Sequence, residues 1–219
     1  PDEWIDKIMA GAALCQRHVF FILTKRARRM RSYMERIAKS IKPLEAAARD
    51  IGYTFQWNGL PLLPWPIKNI RFGVSVEDQA RAAERIPDLL ATPAAVRFVS
   101  AEPLLGPVDF RKYLTPMYGA AVSNGRGFGP AIVEPALNQV IVGGESGPGA
   151  RRQYLAGARS IGAQCRAAGG ACFVKQLGSN AGTLLRANDG TWEIFPTNDR
   201  KGGDPSEWPS YLRIREWPR

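Results

Sequence analysis

Val74-Ser75-Val76-Glu77, Val99-Ser100-Ala101-Glu102 and Val142-Gly143-Gly144-Glu145 are three versions of one phrase. Each closes a short apolar run with Val, a small residue, a spacer and then Glu. Side chains alternate across a strand with period two. Ser75 and Glu77 therefore share a face, as do Ser100 and Glu102, and Gly143 and Glu145. The opposite face carries Val74 and Val76, Val99 and Ala101, Val142 and Gly144, which are apolar or small, as helix packing requires. The phrase predicts three strands of one parallel sheet, with the small-plus-Glu face on its concave side. Three carboxylates in register would then ring the C-terminal mouth, where parallel α/β folds place their sites. The alternative is that these are strand-end residues facing solvent or favouring the next helix, a role open to Glu77 above all.

Outward from these three runs, two more apolar runs complete the set. The five are Val19–Leu23, Ile70–Val76, Val96–Val99, Val140–Val142 and Ala171–Val174, each about the length of a buried strand. Helix-period segments lie between them. Met30, Met34, Ile37 and Ile41 mark one helical face, and Tyr154, Ala158, Ile161 and Cys165 another, stopped by Gly169-Gly170. Asp78 to Leu90 predicts a helix bent or ended near Pro87, and Pro107 to Leu114 a short one. Alternating strands and helices imply right-handed crossovers and a parallel sheet covered by helices on at least one face. The fold class is α/β with about five parallel strands, too few for a closed eight-stranded barrel of about 250 residues. A partial (β/α) barrel or an open sheet fits better. Residues 1–177 form this domain and 178–219, rich in Gly, Asp, Trp and Pro, a C-terminal extension packed on it. Two insertions break the rhythm: an ordered excursion near 53–69 with Trp57 and Trp65, and a Gly-rich mobile loop near 115–138 over one end of the sheet.

The 219 residues carry Lys+Arg 30 against Asp+Glu 20, a net charge of +10. An anionic partner, most often nucleic acid, is one reading. Genomic bias is the other, because Arg outnumbers Lys 22 to 8 in an Ala-rich chain. No run of about 18 apolar residues spans a membrane, no signal peptide is evident, and the expected location is cytoplasmic. Cys15, Cys165 and Cys172 cannot all pair with one another, and their spacing matches no zinc or iron–sulfur pattern. The chain opens on Pro1, not Met, and reads as a piece of something longer.

The candidate chemistry gathers at the strand ends. Thr24-Lys25-Arg26 ends the first strand and Lys175-Gln176 the fifth. Gly143-Gly144-Glu145-Ser146-Gly147-Pro148-Gly149 lets backbone amides approach a ligand, with Arg151 and Arg152 following. It matches neither a Walker loop nor a Rossmann fingerprint. Lys25-Arg26-Ala27-Arg28-Arg29-Met30-Arg31 is a basic patch able to grip phosphates, although Arg28, Arg29 and Arg31 also suit a solvated helix face. His18 stands at the end opposite the mouth and reads as structural. With no second histidine, His-based metal sites and Ser-His-Asp chemistry are excluded at the mouth.

Five segments together resemble a phage and prophage family named after gene products thirty-seven and sixty-eight, which is radical-SAM-like. They are Leu23–Arg26, Gly73–Gln79, Ser100–Gly106, Val142–Gly147 and Phe173–Gln176. Arg152 departs from the family pattern, which has Pro after the Gly-Ala-Arg run. The resemblance implies a radical-SAM-type partial barrel binding S-adenosylmethionine and a four-iron cluster at its mouth. The family's cluster-ligating cysteines lie upstream of everything in this chain, so it is either a fragment or a cluster-free variant, inactive alone in radical chemistry. The implied catalytic residues are Lys25, Glu102 and Glu145, with Glu145 or Glu102 holding the methionyl amino group. Ser75, Glu77, Ser100, Gly143, Gly144, Ser146 and Gly147 would line the cofactor. Thr24, Arg26, Arg151, Lys175 and Gln176 would meet an anionic substrate, with nucleic acid a candidate by analogy.

Two further functions compete. One is non-catalytic nucleic-acid binding. The other is magnesium-dependent hydrolysis around Glu77, Glu102 and Glu145. Missing upstream strands would also leave an open sheet edge, which the chain would cover with its own loops or by self-association.

Overall fold

The structure, a computed structural model, describes residues 1–53, 65–123, 128–134, 136–184 and 192–218, with backbone alone for 117–123, 128–134, 183–184 and 192. It opens with α1 (Asp2–Leu14), β1 (Phe20–Thr24), α2 (Ala27–Lys39), α3 (Lys42–Asp50), β2 (Ile70–Ser75), α4 (Gln79–Ala91), β3 (Val96–Ala101) and the single turn α5 (Arg111–Leu114). There follow β4 (Met117–Ser123), β5 (Phe128–Glu134), β6 (Gln139–Gly143), β7 (Gln153–Tyr154), α6 (Leu155–Ala168), β8 (Ala171–Gln176), β9 (Ala181–Leu184) and β10 (Trp192–Ile194). Two 3-10 turns, Pro205–Glu207 and Ser210–Leu212, close the chain.

The five apolar runs form one parallel sheet in the order β1-β2-β3-β6-β8. Its strands are wound sequentially, with no reversal of direction across the sheet. The helices lie on one face. Met30, Met34 and Ile37 of α2, Ile86 and Leu89 of α4, and Ala158, Ile161 and Cys165 of α6 are buried there. They share a core with Val74, Val76, Val99, Val142 and Val174, each fully buried. Each such valine contributes about 1.5–3 kcal/mol by leaving water. Asp78 starts α4 by accepting the Arg81 N–H at 2.8 Å. Gly169 ends α6 in the left-handed region at φ 71°, and Gly170 N–H returns to the Cys165 carbonyl at 2.9 Å.

The two sheet edges differ. On the β8 side, the tail pairs Arg215 with Phe173, and Glu216 N–H and its carboxylate bracket Cys172. Trp208 and Leu212 of the same tail are buried in the main core. Among the described residues no strand pairs with the outer edge of β1. Phe21 and Leu23 are exposed there.

Several details depart from the sequence reading. The mobile loop expected near 115–138 is instead an antiparallel hairpin, β4 with β5. Its base is tied to the N-terminal end of the sheet, where Leu137 N–H meets Tyr113 O and Asn138 N–H meets Arg97 O. Helix α4 matches the reading of Asp78 to Leu90 but does not end at Pro87: it runs on to Ala91, because Pro87 lies on the exposed side, where water reaches the carbonyl that loses its partner. Helices α1 and α3 were missed. Their mutual contact rests on Ala10, Ala47 and Ala48, which give little hydrophobic periodicity. Ile41 lies beyond α2 and serves as the N-cap position of α3. Most of the excursion read near 53–69, Trp57 included, lies outside the described residues.

Candidate binding site at the strand ends

Register decides how the three carboxylates meet. Ser75 pairs with Ser100, so Glu77 and Glu102 stand at the same level two residues beyond. Ala101 pairs with Val142, which sets Glu102 beside Gly143 and leaves Glu145 two residues higher. Two carboxylates are thus in register and the third is not. Matching the phrases by sequence hid this offset, because β6 carries its small residues where β3 already has its Glu.

Each carboxylate is held by cations. Glu77 is buried and meets Lys25 Nζ at 2.8 Å and Arg85 Nη1 at 3.0 Å. Burial pushes its carboxyl up, but hydrogen bonds from Lys25 and the backbone, with the charge of Arg85, carry it below the ordinary value. Arg85 also donates to Ser75 O at 2.8 Å, so this guanidinium fastens α4 to the end of β2. The sequence reading missed Arg85. Its signal was a charged residue one turn from Ala82 and beside Ile86 on the apolar face of the helix.

Glu102 takes Lys175 Nζ on both oxygens, at 3.0 and 3.1 Å. The pair lies over Gly143. A Cβ at Gly143 would come within 3.0–3.1 Å of the Glu102 side chain, so glycine is needed for the carboxylate to lie there. Lys175 is half exposed, whereas the Glu102 side chain is only 19% exposed. Beneath them, Ser75 and Ser100 are buried side by side on the same face. Phe98 forms the floor, its ring lying where a Cβ of Gly73 would be, at 2.4–2.5 Å.

Glu145 is engaged differently. Arg151 grips it with Nε and Nη2, both at 2.9 Å, and adds its own N–H at 3.0 Å. These bonds hold the carboxyl down at about 2. They close the exposed loop of Ser146 to Ala150. Gly147 turns this loop at φ 100° and donates to Ser179 Oγ at 3.0 Å. Gly144 offers no opening to a ligand, since a Cβ there would lie 2.0 Å from Gln153 Oε1 and 2.1 Å from the Leu177 carbonyl.

Several expected ligand contacts are therefore engaged within the protein. Gln176 donates its side-chain N–H to Gly144 O at 2.9 Å. Thr24 Oγ1 accepts the Arg26 N–H at 3.0 Å and shapes the turn into α2. Glu145, Arg151 and Gly144 build the loop. The structure brings together Ser75, Ser100, Glu102, Gly143 and Lys175, with Glu77 and Lys25 at one side. Arg26 is exposed at the start of α2, and Ser146 and Gly147 stay exposed at the rim.

The described residues contain no group of three His, Cys, Asp or Glu side chains able to hold a metal ion. Cys165 and Cys172 are buried on the helix side of the sheet, where contact with Cys172 and burial push the Cys165 thiol up. Cys15 is exposed after α1. None of the three is at the mouth. No helix among the described residues is long and apolar enough to cross a membrane.

A family model covers this whole arrangement. The chain belongs to the family described as "Protein of unknown function (DUF5131)". The match runs over residues 1–194, taking in all five parallel strands and every mouth residue named above. No curated protein and no solved structure matches the chain. Within this DUF5131 chain, Trp208 and Leu212, which complete the core from the tail, lie outside the matched span.

Proposed function

We propose that the sheet is a partial (β/α) barrel of radical-SAM type, binding S-adenosylmethionine and an anionic substrate at its strand ends. Sequential strand order supports the barrel reading, since doubly wound sheets reverse order at a switch point. The observation that carries the ligand is the Glu102–Lys175 pair over Gly143. An amino-acid cofactor has an ammonium for Glu102 and a carboxylate for Lys175, and exchanging one internal ion pair for two ligand pairs keeps every charge matched. Ser75 and Ser100 offer hydroxyls beneath, and Lys25 and Arg26 face an anionic substrate. S-adenosylmethionine, when bound, supplies an activated sulfonium. A four-iron cluster does not fit the thiols of this chain, two of which are buried in the core away from the mouth. Magnesium-dependent hydrolysis gains nothing, because the carboxylates are separately neutralised.

Calorimetric titration of the full chain with S-adenosylmethionine tests the reading. Saturable binding is expected, weakened about tenfold in Glu102→Gln, equivalent to about 1.4 kcal/mol. A folded wild-type chain that shows no saturable binding overturns it.

A further inference from the structure

A second concave site lies beside the mouth on the helix side. It is a cleft of about 730 Å³ between the start of α2 and the flank of α4. Six cations line it: Lys25, Arg26, Arg28, Arg29, Arg36 and Arg85. The three carboxylates that also line it are already engaged. Asp2 is shared by Arg29 and Arg36, Glu84 is held by Arg81, and Asp88 is held by Arg31. Below the cleft, Glu77 serves both Lys25 and Arg85. Arg26 and Arg28 have no carboxylate partner among the described residues, and both are exposed. Arg36 also meets Asp6 at 3.3 Å, so Asp2, Asp6 and Glu77 answer the other four cations, and the two exposed guanidiniums of Arg26 and Arg28 top the wall as its unmatched charge.

We infer that this cleft holds the phosphate backbone of a single nucleic-acid strand. Five of the six cations are arginines, whose planar fork matches phosphate oxygens in pairs. Backbone contacts of this kind position a strand without reading its sequence. Lys25 belongs to both the cleft and the mouth, so a strand lying in the cleft is led to the strand ends. In this respect the inference deepens the substrate side of the proposed function and rests on that reading. Strand binding itself is measured without the cofactor.

The test is fluorescence anisotropy of a labelled 20-nucleotide oligothymidylate, titrated with the full chain between 50 and 200 mM salt. Contact with three phosphates predicts that log affinity falls against log salt with a slope of about −2. The double variant Arg26→Glu/Arg28→Glu should bind at least about tenfold more weakly, with the slope reduced by about 1.4 for two lost contacts. Circular dichroism would confirm that these exposed changes leave the fold intact. The charge-matched double variant Arg17→Glu/Arg166→Glu, at the opposite end of the sheet, should stay within about twofold of wild type. Equal losses in both double variants would mean diffuse charge and overturn the inference. So would wild-type affinity in Arg26→Glu/Arg28→Glu, or a chain that binds tripolyphosphate and does not bind the oligonucleotide. A chain that binds S-adenosylmethionine but no strand sinks the cleft and leaves the mouth standing. A chain that binds the strand but not the cofactor does the reverse.

Discussion

The two halves of the mouth carry the same sequence ingredients and use them in opposite ways. On the β3 side, Glu102 and Lys175 meet over Gly143 with no backbone groups consumed. On the β6 side, Glu145 accepts three bonds from Arg151 alone, and Gly144 is packed against Gln153 and Leu177. The first half is a charge pair that a ligand can enter. The second is a joint that fixes a loop. Adjacent glycines thus do different work. Gly143 makes room for a side chain, and Gly144 makes room for the chain itself.

Alanine at each glycine separates these roles. Gly144→Ala should cost about 3 kcal/mol or more, because its Cβ meets a backbone carbonyl that cannot step aside. Gly143→Ala meets only a side-chain end at 3.0–3.1 Å and should cost about 1 kcal/mol or less. It should, however, tilt Glu102 and weaken cofactor binding. Urea denaturation of both variants checks the order. A Gly144→Ala protein as stable as wild type would break the distinction.

Glu77 lies between the two cases. Its side chain is 11% exposed and bonded by two cations, so Glu77→Gln should lower stability by about 1–2 kcal/mol. Its carboxyl is lowered in the folded state. The stability it contributes is complete above the ordinary carboxylate pKa and is lost as pH falls through the folded one. The penalty of Glu77→Gln should therefore shrink on acidification. A penalty independent of pH would show that packing, not charge, holds α4 to β2.

The sheet was legible because its strands are short runs rich in β-branched and aromatic residues, continuous in Val140–Val142 and interrupted by Arg71, Gly73 and Ser75 in Ile70–Val76. The helical faces of α2 and α6 were legible from their spacing. The hairpin was not, since its glycines resemble a loop until they pair. The site was half legible. Strand parity put Ser75, Ser100 and Glu102 on one face correctly. Parity says nothing of stagger between strands, so Glu145 was set level with Glu102. Nor does it reveal what already occupies a polar group, so Gln176 and Thr24 read as ligand contacts although the backbone uses both.

The smallest expected effect sharpens the comparison most. Glu145→Gln should leave S-adenosylmethionine affinity within about twofold of wild type, because Arg151 already uses its oxygens. Its stability effect should be slight, a shift of about 0.2 M in the urea midpoint near neutral pH. The sign follows from the folded carboxyl lying at about 2 against an ordinary 4.5. Stability from Glu145 is full above 4.5 and drains as pH falls toward 2, so wild type and Glu145→Gln should converge across that window. The loop from Ser146 to Ala150 should exchange its amide hydrogens faster in the variant, since the carboxylate that closed it has lost its charge. If Glu145→Gln instead reduced cofactor binding as much as Glu102→Gln, the two halves would share one ligand, and the joint assigned to Glu145 would be part of the binding surface.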